Sequence, residues 1–279
     1  MQNNMRRYTF SGHESFFCKS LWLKKGYDAV KNGVSFNSPD AVAQLGVGKN
    51  MVSSIRYWMK SFGLLNDNGL TPFANYIFED KNGKDPYIED IGTIWLLHYQ
   101  LLRERVASLY YLTFYEFKRE KNEFSRDQLL SFVRRKCFAS GQKNVFNENT
   151  VKKDITTLLH MYVAPSDIKS TEEFTALLID LDLLKRKEDV FSFTEISPSF
   201  IPELIILYAM IDMKGESNTL SIDAMQFGLS ILDFVGIVRR LVKMFPEKIV
   251  YTDNSGIKNV QFLENLEPYS ILDIHYNKS

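Results

Sequence analysis

The stretch from Ser38 to Gly63 constrains this chain more than any other. Ser38-Pro39 reads as a helix start: a hydroxyl cap, then a proline at the first helical position. The short run Asp40-Ala41-Val42-Ala43-Gln44-Leu45 ends at Gly46-Val47-Gly48. A tight turn between two helices needs a residue that accepts a left-handed backbone, and glycine does so without a steric penalty. From Lys49 onward, Val52, Ile55, Met59 and Phe62 recur at spacings of three, four and three, which lays them on one face of a second helix stopped by Gly63. Lys49, Asn50, Ser53, Ser54, Arg56, Tyr57 and Lys60 are left to face outward. Leu64-Leu65, the turn Asp67-Asn68-Gly69 and Leu70-Thr71 then return the chain through a small hairpin to a helix over Phe73–Phe78. A short helix, a glycine turn, a polar and basic second helix and a hairpin make up the plan of a winged helix-turn-helix.

The plan recurs in looser form. Ser125 caps a helix carrying Leu129, Leu130, Phe132 and Val133. Asn147 caps another with Val151, Ile155, Leu158 and Leu159 inward and Asn149, Lys152, Lys153 and Thr156 outward. A helix over Glu172–Leu184 and a hairpin at Lys187-Glu188-Asp189 are expected next. Helices over Pro202–Met213, Ser221–Phe227 and Ile231–Phe245 precede two strands joined by Asp253-Asn254-Ser255-Gly256, and Pro268 opens a last helix. Earlier, Phe16, Phe17, Leu21 and Trp22 suggest an initial helix, which Gly26 either ends or interrupts, and residues 86–118 read as one long helix or two shorter ones. The expected fold is mainly α with small β wings, an α+β chain of tandem winged helix-turn-helix modules. Its segments are 1–120, with a long helical extension, then 121–197 and 198–279.

Charge narrows the functional classes. The chain of 279 residues holds 34 basic and 34 acidic side chains, so its formal net charge is zero. A protein that grips phosphates over a whole face carries a basic excess, so a phosphate-binding surface here has to be local. The two cysteines, Cys18 and Cys137, form neither a metal-type spacing nor a disulfide framework. The opening residues are polar and no apolar stretch is long enough to span a bilayer. A cytoplasmic location without membrane contact is the expectation.

The candidate partner is duplex DNA. Lys49, Asn50, Ser53 and Tyr57 occupy the face that would enter a major groove, where Asn pairs with adenine and Lys reaches guanine or phosphate. Arg56 and Lys60 are placed for backbone phosphates, and Lys152 and Lys153 repeat the arrangement on the later helix. The same polar face also suits a solvated surface or a protein-docking site. His13, Glu14 and Cys18 invite an enzymatic or metal reading. Zinc, however, needs more ligands than they supply, and His98, His160 and His275 lack ligand spacing. A Cys–His nucleophile also needs an oxyanion site. No phosphate-cradling glycine loop is present. A non-catalytic chain without cofactor or metal is therefore expected, with Ser11-Gly12-His13-Glu14 capping the first helix or bridging modules.

Phe10-Ser11-Gly12-His13-Glu14-Ser15-Phe16 with Trp22-Leu23-Lys24-Lys25-Gly26 resembles the opening of the bacterial domain-of-unknown-function family 4007. Asp85-Pro86-Tyr87-Ile88-Glu89-Asp90, Trp95-Leu96-Leu97-His98-Tyr99 and the closing run Ile249 to Ile257 are similar to it as well. The resemblance implies association with DNA phosphorothioation and phage-defence gene clusters, and a reductase-like sulfur-transfer protein as a neighbour. This chain departs from that pattern in having no arginine at Cys18 or Lys19 and no Ser-Pro-Gly run near Gly228-Leu229-Ser230. Together these readings point to a non-catalytic DNA-binding protein that supports a modification or defence system, or to an adaptor that docks a modification enzyme without touching DNA.

Overall fold

Apolar residues at three- and four-residue spacing make helices the main material of this fold, and short hairpins close the helical groups. A computed structural model describes residues 7–165, 175–222 and 227–277. In chain order these form α1 (Trp22–Lys31), α2 (Ala41–Leu45), α3 (Lys49–Ser61), β1 (Leu65–Asn66), β2 (Gly69–Leu70), α4 (Pro72–Phe78), α5 (Ile91–Glu104) and α6 (Ser108–Tyr111). The chain continues through a π-helical turn, Leu112–Glu116, to β3 (Glu123–Phe124), α7 (Arg126–Ala139), α8 (Glu148–Tyr162), β4 (Leu184–Lys187) and β5 (Val190–Phe193). It ends with α9 (Glu203–Lys214), β6 (Thr219–Ser221), α10 (Ile231–Met244), β7 (Ile249–Asn254), β8 (Ile257–Phe262) and α11 (Pro268–Tyr276). Among the described residues, no helix is long and apolar enough to cross a membrane.

The sheets are small and antiparallel, in the orders β1-β2, β3-β5-β4 and β6-β8-β7. The two larger ones share a plan. The second strand of each hairpin lies centrally, flanked by its partner and by a short strand that comes before the preceding helix or helices. The fold is thus α+β and mainly helical, as the sequence implies.

Two compact units result. Residues 1–89 and 97–193 form the first, and residues 90–96 and 194–279 the second. The first holds most of segments 1–120 and 121–197, and the second holds 198–279 with 90–96 and 194–197. In the first unit α1 lies against α3 at Gly26, where an added Cβ would stand 2.8 Å from Ile55 Cγ2. Gly26 therefore sits inside α1 as a contact point and does not end it. Ser125 and Gln128 form a reciprocal capping box, and the Asn147 side chain accepts from Thr150 N–H at 3.0 Å. Deep in this unit His98 Nδ1 meets the Tyr162 hydroxyl at 2.8 Å. Burial, helped by the nearby Lys118 charge, pushes the His98 pKa down to about 3. In the second unit α9 is buried from Leu204 to Ile211. There the Asp90 carboxylate accepts from Gly92 N–H at 2.6 Å and pairs with His275 Nε2 at 2.9 Å, joining the start of α5 to α11.

Several local expectations are corrected. The initial helix begins at Trp22, not near Phe16. Residues 18–20 instead spend backbone hydrogen bonds across space: Leu177 N–H reaches Cys18 O at 3.0 Å and Ser20 N–H reaches Thr175 O at 2.8 Å. Ser38 accepts from Asp40 N–H at 3.3 Å and closes a turn, so α2 starts at Ala41. Of the expected helix over 172–184, residues 172–174 lie outside the described residues. The remainder holds a short 3-10 turn, Ile179–Leu181, ended by Asp182 in the left-handed region. Ser221 is the last residue of β6, paired with Asn259; of the helix expected after it, residues 223–226 lie outside the described residues.

Two measurements check the packing. The folded-state pKa of His98 lies below the ordinary 6.5, so the unfolded chain binds the extra proton on acidification. Stability present above about pH 6.5 is then lost toward about pH 3, by up to about 1.4 kcal/mol per pH unit. Urea unfolding over that range should show a flatter pH dependence for His98→Gln than for the native chain. Gly26→Val should cost about 1–3 kcal/mol through overpacking against Ile55 and Met59, read as a lower urea midpoint.

Candidate nucleic-acid interface

Helix α3 follows a three-residue turn in which Gly46 adopts φ 62°. Its inner face is Val52, Ile55, Trp58 and Met59, all buried. Its outer face holds Lys49, Asn50 and Ser53, exposed, and Arg56, Tyr57 and Lys60, partly so. Lys49 and Asn50 have no side-chain partner among the described residues. Ser53 Oγ donates to Lys49 O at 3.4 Å, Arg56 Nη1 donates to Asn37 Oδ1 at 2.9 Å, and Lys60 pairs with Asp67 at 3.1 Å. Ser54 corrects the expected outer set: it is wholly buried, one position past the exposed Ser53, and its hydroxyl has no partner among the described residues. From Ala41 to Asn66 the sequence contains no Asp or Glu, while Lys49, Arg56 and Lys60 contribute three positive charges. A chain of zero net charge therefore carries a net positive segment over α2, the turn and α3.

The N-terminal motif fixes this helix from behind. His13 is buried, and its Nε2 lies 2.8 Å from Asp154 Oδ1 on α8. Ser15 N–H donates to His13 Nδ1 at 3.1 Å, which makes Nδ1 the acceptor and Nε2–H the donor to the carboxylate. The second oxygen of Asp154 accepts from Ser11 N–H at 2.8 Å. The imidazole stacks on Trp58 of α3, with 16° between planes, and meets Tyr57 edge-on. Gly12, at φ 107°, lets the backbone lie directly on the Tyr57 ring: a Cβ there would fall 2.5 Å from Tyr57 Cδ2. Tyr57 is thus half-buried beneath the motif. Burial first, then the Asp154 charge, holds its phenol far above the usual range against a hydrogen bond from Ser61. The motif bridges α3 and α8 and does not cap the first helix, α1, whose N-cap position is Leu21.

On α8, Lys152 is exposed and pairs with Glu148 at 2.6 Å, while Lys153 is exposed without an ion pair among the described residues. Asp154, the partner of His13, is a residue that sequence reasoning missed. Its signal was a carboxylate between Val151 and Leu158 on the apolar face of a helix, a placement that demands a partner. His13, Glu14 and Cys18 do not converge. His13 has both ring nitrogens engaged, Glu14 is exposed, and Cys18 is buried with its thiol pushed well up by burial. Among the described residues, no three His, Cys, Asp or Glu side chains stand together to hold a metal ion.

The family model described as "Protein of unknown function (DUF4007)" matches residues 10–276. The chain belongs to the DUF4007 family. Two solved structures resemble this DUF4007 chain over most of its length. An SspB crystal structure superimposes with TM-score 0.81 at 25% identity, covering 96% of this chain and 88% of that one. A magnesium ion-bound SspB crystal structure gives TM-score 0.80 at 26% identity with the same coverage. No curated protein matches it.

Removing one partner of a buried polar pair strands the other. His13→Ala and Asp154→Ala should each lower stability by about 2–4 kcal/mol. The double substitution should cost much less than their sum, which a double-mutant cycle in urea resolves.

Proposed function

We propose that this chain is a non-catalytic, tandem winged-helix protein of the cytoplasm that binds duplex DNA through α3 in support of a bacterial DNA-modification or phage-defence system. The observation that carries this reading is the acid-free stretch from Ala41 to Asn66 with Lys49, Asn50 and Ser53 exposed at the start of α3. Residues at the start of a recognition helix are the ones that reach base edges, and flanking cations hold the backbone. Lys49, Asn50 and Ser53 take the first role and Arg56 and Lys60 the second. Tyr57 sets the angle of the helix from beneath Gly12, and Lys152 and Lys153 supply a second contact from α8. The plan shared by β3-β5-β4 and β6-β8-β7, each a hairpin following helices, supports the winged-helix reading. DUF4007 membership and the likeness to SspB support the phosphorothioation setting, with a reductase-like sulfur-transfer protein as the neighbouring partner.

The test is an electrophoretic mobility shift on duplex DNA at graded salt. Lys49→Ala with Arg56→Ala should weaken binding about tenfold or more and reduce the salt slope by about 2. An unchanged shift removes the proposal. In that event the adaptor reading gains, since Ile231 and Leu232 open α10 with 57% and 83% of their surfaces exposed, an apolar pair suited to a protein partner. Co-purification with the sulfur-transfer neighbour, lost on Leu232→Glu, is its expected result.

A further inference from the structure

A second surface of the first unit carries side chains of a different kind. The guanidinium of Arg105 lies 3.8 Å from the centroid of the Tyr111 ring. Tyr111 and Tyr115 stack at 5.0 Å with 20° between their planes. The guanidinium of Arg119 lies 4.8 Å from the Tyr115 centroid. Cation, ring, ring and cation form a continuous π ladder in which both arginines are exposed and both tyrosines half-buried. Burial pushes the Tyr111 phenol up to about 12, so the ring is neutral at physiological pH.

The backbone is built for this ladder. Arg105 follows α5 in the left-handed region, at φ 55°, a conformation that costs a non-glycine residue free energy and recurs at binding sites. Tyr111 immediately precedes the π-helical turn and Tyr115 lies within it, where Phe117 N–H reaches back five residues to Leu112 O. Such turns concentrate at functional sites because they redirect side chains within a helix. The neighbouring carboxylates are each matched: Glu104 by Arg103 at 2.7 Å, Glu120 by Arg135 at 2.5 Å, and Glu116 by Lys136. Arg105 makes no ion pair among the described residues.

We infer that the Arg105–Tyr111–Tyr115–Arg119 ladder is a platform for a single-stranded polynucleotide, separate from the duplex surface on α3. Unstacked bases are held by aromatic faces and guanidinium planes, with sequence tolerance because every base has a π face. A base that takes a guanidinium's place on a tyrosine exchanges one π contact for another. A displaced Arg105 guanidinium keeps its fork of donors for the adjoining phosphate. Duplex DNA hides its base faces and gains nothing from the ladder. The inference stands independently of duplex binding by α3.

Fluorescence anisotropy of the full chain with labelled oligo-dT and oligo-rU of about twelve nucleotides, and with a blunt duplex, tests it. Both single strands should bind within a few-fold of each other, since ring faces read no 2′-hydroxyl. Tyr111→Leu with Tyr115→Leu should weaken them about tenfold or more and leave the duplex unaffected. Tyr111→Phe with Tyr115→Phe should retain binding. Arg105→Gln, an exposed change that leaves the core intact, should weaken single-strand binding even if the leucine variant fails to fold. Lys49→Ala with Arg56→Ala should leave single-strand binding unchanged. Absence of single-strand binding at low salt, native affinity in the folded leucine variant and in Arg105→Gln, or equal loss in the α3 variant overturns the inference.

Discussion

A histidine taken out of water needs both ring nitrogens satisfied, and His13 meets that need with groups from opposite ends of its unit's sequence. Ser15 N–H donates to one nitrogen, and Asp154 of α8 accepts a hydrogen bond from the other at 2.8 Å. In surroundings of low dielectric such a bond is strong when complete and costly when broken. It closes a loop of 141 residues and pins the Ser11–Ser15 segment across α3 and α8. Trp58 stacks on the imidazole, and the same indole meets Phe62 and Tyr110, so the aromatic core of the unit grows outward from this one contact.

That contact also explains why α3 is a fixed element. Its inner side is committed to Gly26 of α1, to His13 and to the backbone at Gly12, leaving one outward stripe. Pre-set orientation matters for any helix face that docks a partner, because a helix already held in place pays little entropy on docking. Net charge conceals the same surface. The excess of acid elsewhere balances the acid-free stretch, so the sum over the chain says nothing about the local field.

Much of the fold was legible in the sequence. The glycine turn at Gly46, the caps at Ser125 and Asn147, and the hairpins at Asp67-Asn68 and Ser255-Gly256 stand where their residue chemistry puts them. Each is a short-range preference, settled by a backbone angle or a hydrogen bond a few residues long. The failures are long-range. Residues 16–21 show helical spacing, yet residues 18–20 spend backbone groups on pairing with residues 175–177. Ser54 looks like its exposed neighbour Ser53 until the packing around α3 buries it. Asp154 reads as one more polar residue on a charged helix until His13 arrives.

By itself, then, the sequence determined the helical and hairpin elements, the positive character of 41–66 and the family, because periodicity, capping and composition are local properties. Only the tertiary structure decided the role of the Ser-Gly-His-Glu motif, the partial withdrawal of Tyr57 from the outer face, and the alignment of Arg105, Tyr111, Tyr115 and Arg119 into one stack. Those depend on which buried group finds which partner and on a π turn that shifts the helical phase. Neither is encoded in the spacing of residues along one element.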